Sequence, residues 1–178
     1  MGAKQKSWTA ITYAQDFSGE GAGLGPQTIL RLKRIMEARA TGYNIEAIVL
    51  AGGIGPDKEE YPKQTRPFAE MMKEWLVTEG KFPANKIYCD VESWNCIEAT
   101  IGMIRVIKEN KLPQNVLVVS TGGHIYPRMW TAWTLLCGRK SGWSLGFVPD
   151  WKGAYDLLHE LGGTVKYIPM SLWYRRGV

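Results

Sequence analysis

The stretch Val116-Leu-Val-Val-Ser-Thr-Gly-Gly-His-Ile-Tyr-Pro-Arg128 decides the fold. Four consecutive apolar residues followed by Ser120, Thr121, Gly122 and Gly123 describe a strand buried on both faces that ends in a tight turn. Strands buried on both faces belong to parallel sheets covered by helices. His124 and Arg128 follow at an i,i+4 spacing, which on the first turn of a helix puts both side chains on one face. Backbone N–H groups at a helix start have no intrahelical partner and attract anions. The stretch therefore predicts a strand, a turn and a ligand-facing helix start.

Outward from it, short apolar runs alternate with amphipathic stretches along the whole chain, the pattern of βα units around a parallel sheet. The expected strands are Thr9 to Ala14, Ile45 to Leu50, Lys86 to Cys89, the stretch from Val116, Trp143 to Val148, and a last one from Thr164 to Ile168. The expected helices start at Pro26, near Pro67 and at Cys96, continue as a Trp-rich helix to Cys137, and close with one from Ala154 to Leu161. Arg31, Lys33 and Arg34 read as a solvated face of the first helix. The fold class is α/β, a Rossmann-like three-layer sandwich with a mainly parallel central sheet, in a single domain spanning residues 1–178.

A charge of +5 and a pI near 9.1 favour anionic small molecules, but no run of five like charges points to nucleic acid. Three cysteines without a CxxC pair argue against a disulfide framework or a metal cluster, so no metal is expected. No secretory leader or membrane-length apolar run is evident, which predicts a cytoplasmic protein without a membrane span. Eight tryptophans suit aromatic packing; Trp130, Trp133, Trp151 and Trp173, if exposed, would instead suit a non-catalytic interaction protein.

Ligands of such sheets sit outside the carboxyl ends of the strands, where loops converge. The loops Gln15 to Gly25, Gly52 to Gly55, Glu92 to Asn95 and Thr121 to Arg128 each follow an expected strand and carry glycines or short polar residues. His124 is the natural acid or base of this edge, and Arg128 would hold a phosphate or carboxylate in a fork. Asp16, just after the first strand, is a polar ligand or a catalytic carboxylate. Glu92 would accept ribose hydroxyls, while Ser93 and Asn95 serve either as caps of the helix from Cys96 or as ligand contacts. Gly52, Gly53, Thr121, Gly122 and Gly123 let backbone approach the ligand. Cys96 stands where a helix dipole lowers a thiol pKa, although a small buried cysteine is the commoner use of such a residue. The glycines at 19, 21, 23 and 25 lack the Lys-Ser/Thr of a phosphate loop and suit a lid equally well.

In order, Ala51-Gly-Gly53, Ala69-Glu-Met71, the turn and strand Gly80 to Ile87, Glu92-Ser-x-Asn95, and a strand followed by His124-x-x-x-Arg128 resemble the YdcF-like family, over residues 8–170. The resemblance implies a Rossmann-like sandwich of mostly unassigned biochemical role. S-adenosylmethionine, bound by one member, is the candidate cofactor it brings in, and lack of an anchor implies the soluble branch rather than the envelope branch. The chain departs from the family pattern at Phe68, where an acid is usual, at Cys96 to Ala99, and in the Gln15-Asp16-Phe17 insertion. These changes remove polar anchors, so the fold transfers better than the ligand. The leading expectation is binding of a nucleoside-like or phosphorylated small molecule at the strand ends. The alternative is a phosphoester hydrolase or transferase using His124 and Arg128. Whether the site performs chemistry, and the oligomeric state, are open at this level.

Overall fold

The computed structural model describes residues 6–55, 61–137, 142–150 and 157–174. Trp151, the basic pairs at 139–140 and 175–176, and the first residues of the helix expected from Ala154 lie outside them.

Five parallel strands form the sheet: β1 (Ser7–Tyr13), β4 (Asn44–Ala51), β5 (Ile87–Asp90), β6 (Asn115–Thr121) and β7 (Ser144–Asp150). Their order is β5-β4-β1-β6-β7, so the winding reverses between β1 and β6. At such a reversal the loops leaving the two central strands diverge and open a crevice. The helices are α1 (Pro26–Ala40), α2 (Phe68–Thr78), α3 (Cys96–Glu109), the short α4 (Gly122–His124), α5 (Trp130–Leu136) and α6 (Leu157–Tyr174).

Side chains of a strand alternate between faces, and here each face finds its own helices. Ala10, Ile48, Leu50, Leu117 and Val119 pack with Leu32 and Ile35 of α1 and Ala69, Met72 and Leu76 of α2. Ile11, Tyr13, Val49, Val116 and Val118 pack with Met103, Ile104 and Ile107 of α3 and Trp133 and Leu136 of α5. The result is a three-layer α/β sandwich of the Rossmann-like kind. No helix among the described residues is long and apolar enough to cross a membrane.

Three expectations need correction. Residues Thr164 to Ile168 do not form a strand; they lie inside α6, an 18-residue helix that packs on α5. Among its described side chains Thr164 and Ser171, seven apart, are buried, while Leu161, Val165, Ile168 and Leu172 lie on an exposed side. That spacing is helical, and it overrides the β propensity of the local Thr-Val-Lys-Tyr-Ile run. Second, Arg31 is not on a solvated face: it is fully buried, whereas Lys33 and Arg34 are exposed. Third, the helix after β6 is irregular. α4 is only three residues long and runs into a π turn, Ile125–Met129, before α5 begins. The i,i+4 geometry expected for His124 and Arg128 is therefore not that of a regular α-helix.

Candidate functional site

The loop after β1 is a structured element. Phe17–Ser18 (β2) and Gly23–Leu24 (β3) form a small antiparallel hairpin, and its tip is tied to the segment after residue 60 by a Lys63 to Glu20 ion pair and backbone bond. The hairpin base is held by Asp16. Its two carboxylate oxygens accept from the backbone N–H groups of Gln27 (2.9 Å) and Thr28 (2.7 Å), and Oδ1 also from the Thr28 hydroxyl. Asp16 thus caps the first turn of α1.

The other loops converge as closely packed backbone. Gly53 is buried, and its N–H donates to the Ser93 carbonyl at 2.9 Å. A Cβ at Gly53 would lie 2.8 Å from the Val91 carbonyl oxygen, so glycine is what lets the β4 loop meet the β5 loop. Gly52 donates to the Asp90 carbonyl. Asn95 caps α3, its Oδ1 accepting from Ile97 and Glu98 N–H groups at 3.1 and 3.0 Å. Of the two roles open to Asn95 in the sequence, the structure displays the cap.

Between these loops lies a cavity of about 550 Å³, lined by Tyr13 to Gln15, Phe17, Ala51, Gly52, Tyr61, Phe68, Ser93 to Cys96 and Ala99. One wall is aromatic. Phe17 stacks on Phe68, Tyr61 meets both edge-on, and Trp94 lies 5.5 Å from Tyr61 and 6.3 Å from Phe68 between ring centres. The polar residues of the lining are Gln15, Ser93 and Asn95, with Cys96 beside them.

Beside these residues runs a chain of contacts that the sequence reading missed. Arg31 reaches out of α1 under the strand ends. Its Nη1 donates to the Tyr13 carbonyl at 3.0 Å, and its Nη2 to Gln15 Oε1, to Thr121 Oγ1 at 3.2 Å, and towards His124 Nδ1 at 3.4 Å. His124 Nε2 in turn lies 3.4 Å from Cys96 Sγ. The Tyr13 ring stacks on the imidazole, 6.4 Å between centres. Burial drives the Tyr13 phenol far above its usual range, so it stays neutral.

The expected site residues therefore separate. Gly52, Ser93 and Asn95 line the cavity, and Thr121 and His124 belong to the polar chain behind it. Gly122 is buried, and Gly123 lies beside it in α4. Arg128 is 7% exposed and is not among the cavity-lining residues. Glu92 is exposed and lines a neighbouring, smaller pocket of about 270 Å³ with Asp90, Glu98 and Arg105. In that pocket Asp90 Oδ2 is buried without a hydrogen-bond partner, and it rests on Gly102, where a Cβ would come within 2.1 Å of it. Among the described residues no group of His, Cys, Asp or Glu side chains is placed to hold a metal ion.

Phe17, Tyr61 and Trp94 were invisible as ligand contacts because three separate loops bring them together. Arg31 carried a faint signal: it sits in register with Thr28, Leu32 and Ile35, the buried side of α1. Comparison of the chain with models of known protein families and with curated proteins returns no match.

Proposed function

We propose that the protein binds a small molecule carrying a flat ring, nucleoside-like in shape, in the cavity at the carboxyl edge of the sheet. The observation that carries this reading is the cavity itself. Its volume of about 550 Å³ suits a small ligand, and it combines an aromatic wall of Phe17, Tyr61, Phe68 and Trp94 with a few polar residues. It also lies at the carboxyl ends of β1 and β4, beside the reversal of strand order between β1 and β6, and ligands of open α/β sheets collect at that edge.

The reading agrees with a place in the soluble, cytoplasmic branch of the YdcF-like family. S-adenosylmethionine fits this cavity in chemical type: Phe17, Tyr61, Phe68 and Trp94 would hold its adenine, and Gln15 and Ser93 its polar groups. When bound, that cofactor supplies an electrophilic methyl group. A phosphoester reaction run by His124 and Arg128 is less well supported. His124 is engaged between Arg31 and Cys96, and Arg128 is buried away from the cavity lining. The interaction reading has mixed support, since Trp133 is fully buried while Trp130 and Trp173 are 47% and 75% exposed.

Calorimetric titration with adenosine, adenosine monophosphate and S-adenosylmethionine tests the proposal. Saturable binding of at least one is expected, weakened roughly tenfold or more by Trp94→Ala, as loss of one stacking partner does. Folded wild-type protein that binds none of the three, or a Trp94→Ala variant that binds undiminished, would overturn it.

A further inference from the structure

The smaller pocket, of about 270 Å³, belongs to the edge of the sheet, where β5 is the outermost strand. Asp90 ends that strand, and Glu92 and Ser93 follow it in the loop to α3. The helix contributes Glu98, Ile101, Gly102 and Arg105 to the lining. These four stand at i, i+3, i+4 and i+7, so they share one face of α3.

Two side chains of this pocket are more than nine-tenths buried and poorly served by the protein: Asp90 is 8% exposed and Ser93 7%. Asp90 Oδ1 accepts only two long bonds, from the N–H groups of Glu92 at 3.3 Å and Ser93 at 3.4 Å. Its Oδ2 accepts none. Ser93 is bonded through its backbone, and its hydroxyl has no partner among the described residues. Both oxygens converge on Gly102, where a Cβ would lie 2.1 Å from Asp90 Oδ2 and 3.0 Å from Ser93 Oγ. Glycine inside a helix weakens it, and at this position it keeps open the space that the two oxygens share. A buried carboxylate with so few donors is costly unless another group donates to it.

The surrounding charges define that donor. The chain carries a net charge of +5, yet this lining holds three carboxylates and one guanidinium. Glu92, Glu98 and Arg105 are exposed, and none of them has an ion pair among the described residues. Glu98 Oε2 accepts from the Trp94 N–H at 3.3 Å. Among the described residues the carboxylates are not grouped to hold a metal ion. The positive charge that suits them is therefore spread over an organic molecule, as ammonium groups with several donors each. Arg105, one turn along α3 from Gly102, offers a fork for a carboxylate on the same molecule. We propose that this pocket binds a basic α-amino acid. Its ammonium groups face Asp90, Ser93 and the two glutamates, its carboxylate faces Arg105, and its methylene chain lies against Ile101. The site is distinct from the ring-binding cavity, with which it shares Ser93 alone.

The test titrates the full chain at low salt, by calorimetry, with L-lysine, with cadaverine, which lacks the carboxylate, and with L-norleucine, which lacks the second ammonium. L-lysine should bind saturably and more tightly than either of the others. Asp90→Asn keeps the shape and removes the buried charge, and it should weaken L-lysine about tenfold or more. Arg105→Gln changes an exposed residue and should weaken L-lysine roughly fivefold while leaving cadaverine unchanged, a contrast that stands even where Asp90→Asn does not fold. Phe17→Ala, in the lining of the larger cavity only, should leave L-lysine binding intact. Folded wild-type protein that does not bind L-lysine, or that binds cadaverine or L-norleucine as tightly, would overturn the proposal. So would unchanged binding in folded Asp90→Asn, equal losses of L-lysine and cadaverine in Arg105→Gln, or loss of L-lysine binding in Phe17→Ala, which would put the molecule in the larger cavity.

Discussion

Replacing Tyr13 by Phe tests whether the polar chain beneath the cavity is as connected as its geometry indicates. Thr100 Oγ1 donates to the Cys96 carbonyl at 2.7 Å, so it must accept from the Tyr13 hydroxyl, 3.0 Å away. The Tyr13 oxygen in turn accepts from Trp133 Nε1 at 2.5 Å. The direction is therefore Trp133 to Tyr13 to Thr100 to the backbone of Cys96. Tyr13→Phe keeps the ring against His124 and leaves Thr100 its donor bond, but it strands the indole N–H of a fully buried tryptophan. An orphaned buried donor costs about 1–3 kcal/mol and the lost Tyr13 to Thr100 bond about 1 kcal/mol, partly offset because the phenol oxygen no longer needs desolvating. The expected net loss is about 2 kcal/mol. Taking a urea slope of about 2 kcal/mol/M, the unfolding midpoint should fall by about 1 M without a change in slope. In a double-mutant cycle, Trp133→Phe removes the stranded donor, so the double variant should be more stable than the summed single losses by about 1 kcal/mol. A Tyr13→Phe shift below about 0.5 kcal/mol, or a strictly additive cycle, would refute the assigned direction of the chain.

Asn95→Ala removes the side-chain acceptor for two N–H groups of α3 and should cost about 1 kcal/mol in urea unfolding; a loss under about 0.3 kcal/mol would place the cap's weight elsewhere. Gly102→Ala should destabilise by about 1–3 kcal/mol even though alanine gains about 1 kcal/mol in helix propensity, because the new Cβ would lie 2.1 Å from Asp90 Oδ2; a neutral or stabilising result in thermal unfolding would show that the carboxylate moves freely. The Cys89 thiol is raised from 9.0 to about 11 by burial, so the folded state holds its proton longer than the unfolded chain does. Its contribution to stability is complete below about pH 9 and lost as pH rises towards 11, and Cys89→Ala should show a shallower decline over that window; equal slopes would contradict the burial.

How much of this was legible depended on whether a residue's role was local. The strand at Val116 announced itself because burial on both faces demands a continuous apolar run, and the helix from Cys96 did so through its cap at Asn95. Asp16 was legible as important but not as a cap, because its target, the first turn of α1, lies eleven residues downstream across a hairpin. The stretch Thr164 to Ile168 misled through propensity. Its β-branched residues suit a strand, yet Leu161, Val165, Ile168 and Leu172 follow a 4-3-4 helical rhythm that a longer window exposes. The cavity's aromatic wall had no local signature at all. Phe17, Tyr61, Phe68 and Trp94 come from three loops and a helix start, and only the sheet topology makes them neighbours.

Arg31 shows why a misplaced charge is informative. Burying a guanidinium costs several kcal/mol, and its partners repay that only with good geometry, so the set of acceptors gathered around its Nη1 and Nη2 implies a constraint beyond packing. Its contacts are the Tyr13 carbonyl and Gln15 at the end of β1, Thr121 at the end of β6, and His124 just beyond. These are the two strands between which the sheet reverses direction and the loops must part. A methionine of similar length would fill the space but could not bridge the diverging strand ends. The same cation thus joins the ends of β1 and β6 and reaches His124, whose Nε2 lies 3.4 Å from Cys96 Sγ. Arg31→Met should accordingly lower stability in urea unfolding by more than His124→Leu does, because the His124 side chain lies outside the β1 to β6 bridge; equal losses would refute that role of Arg31.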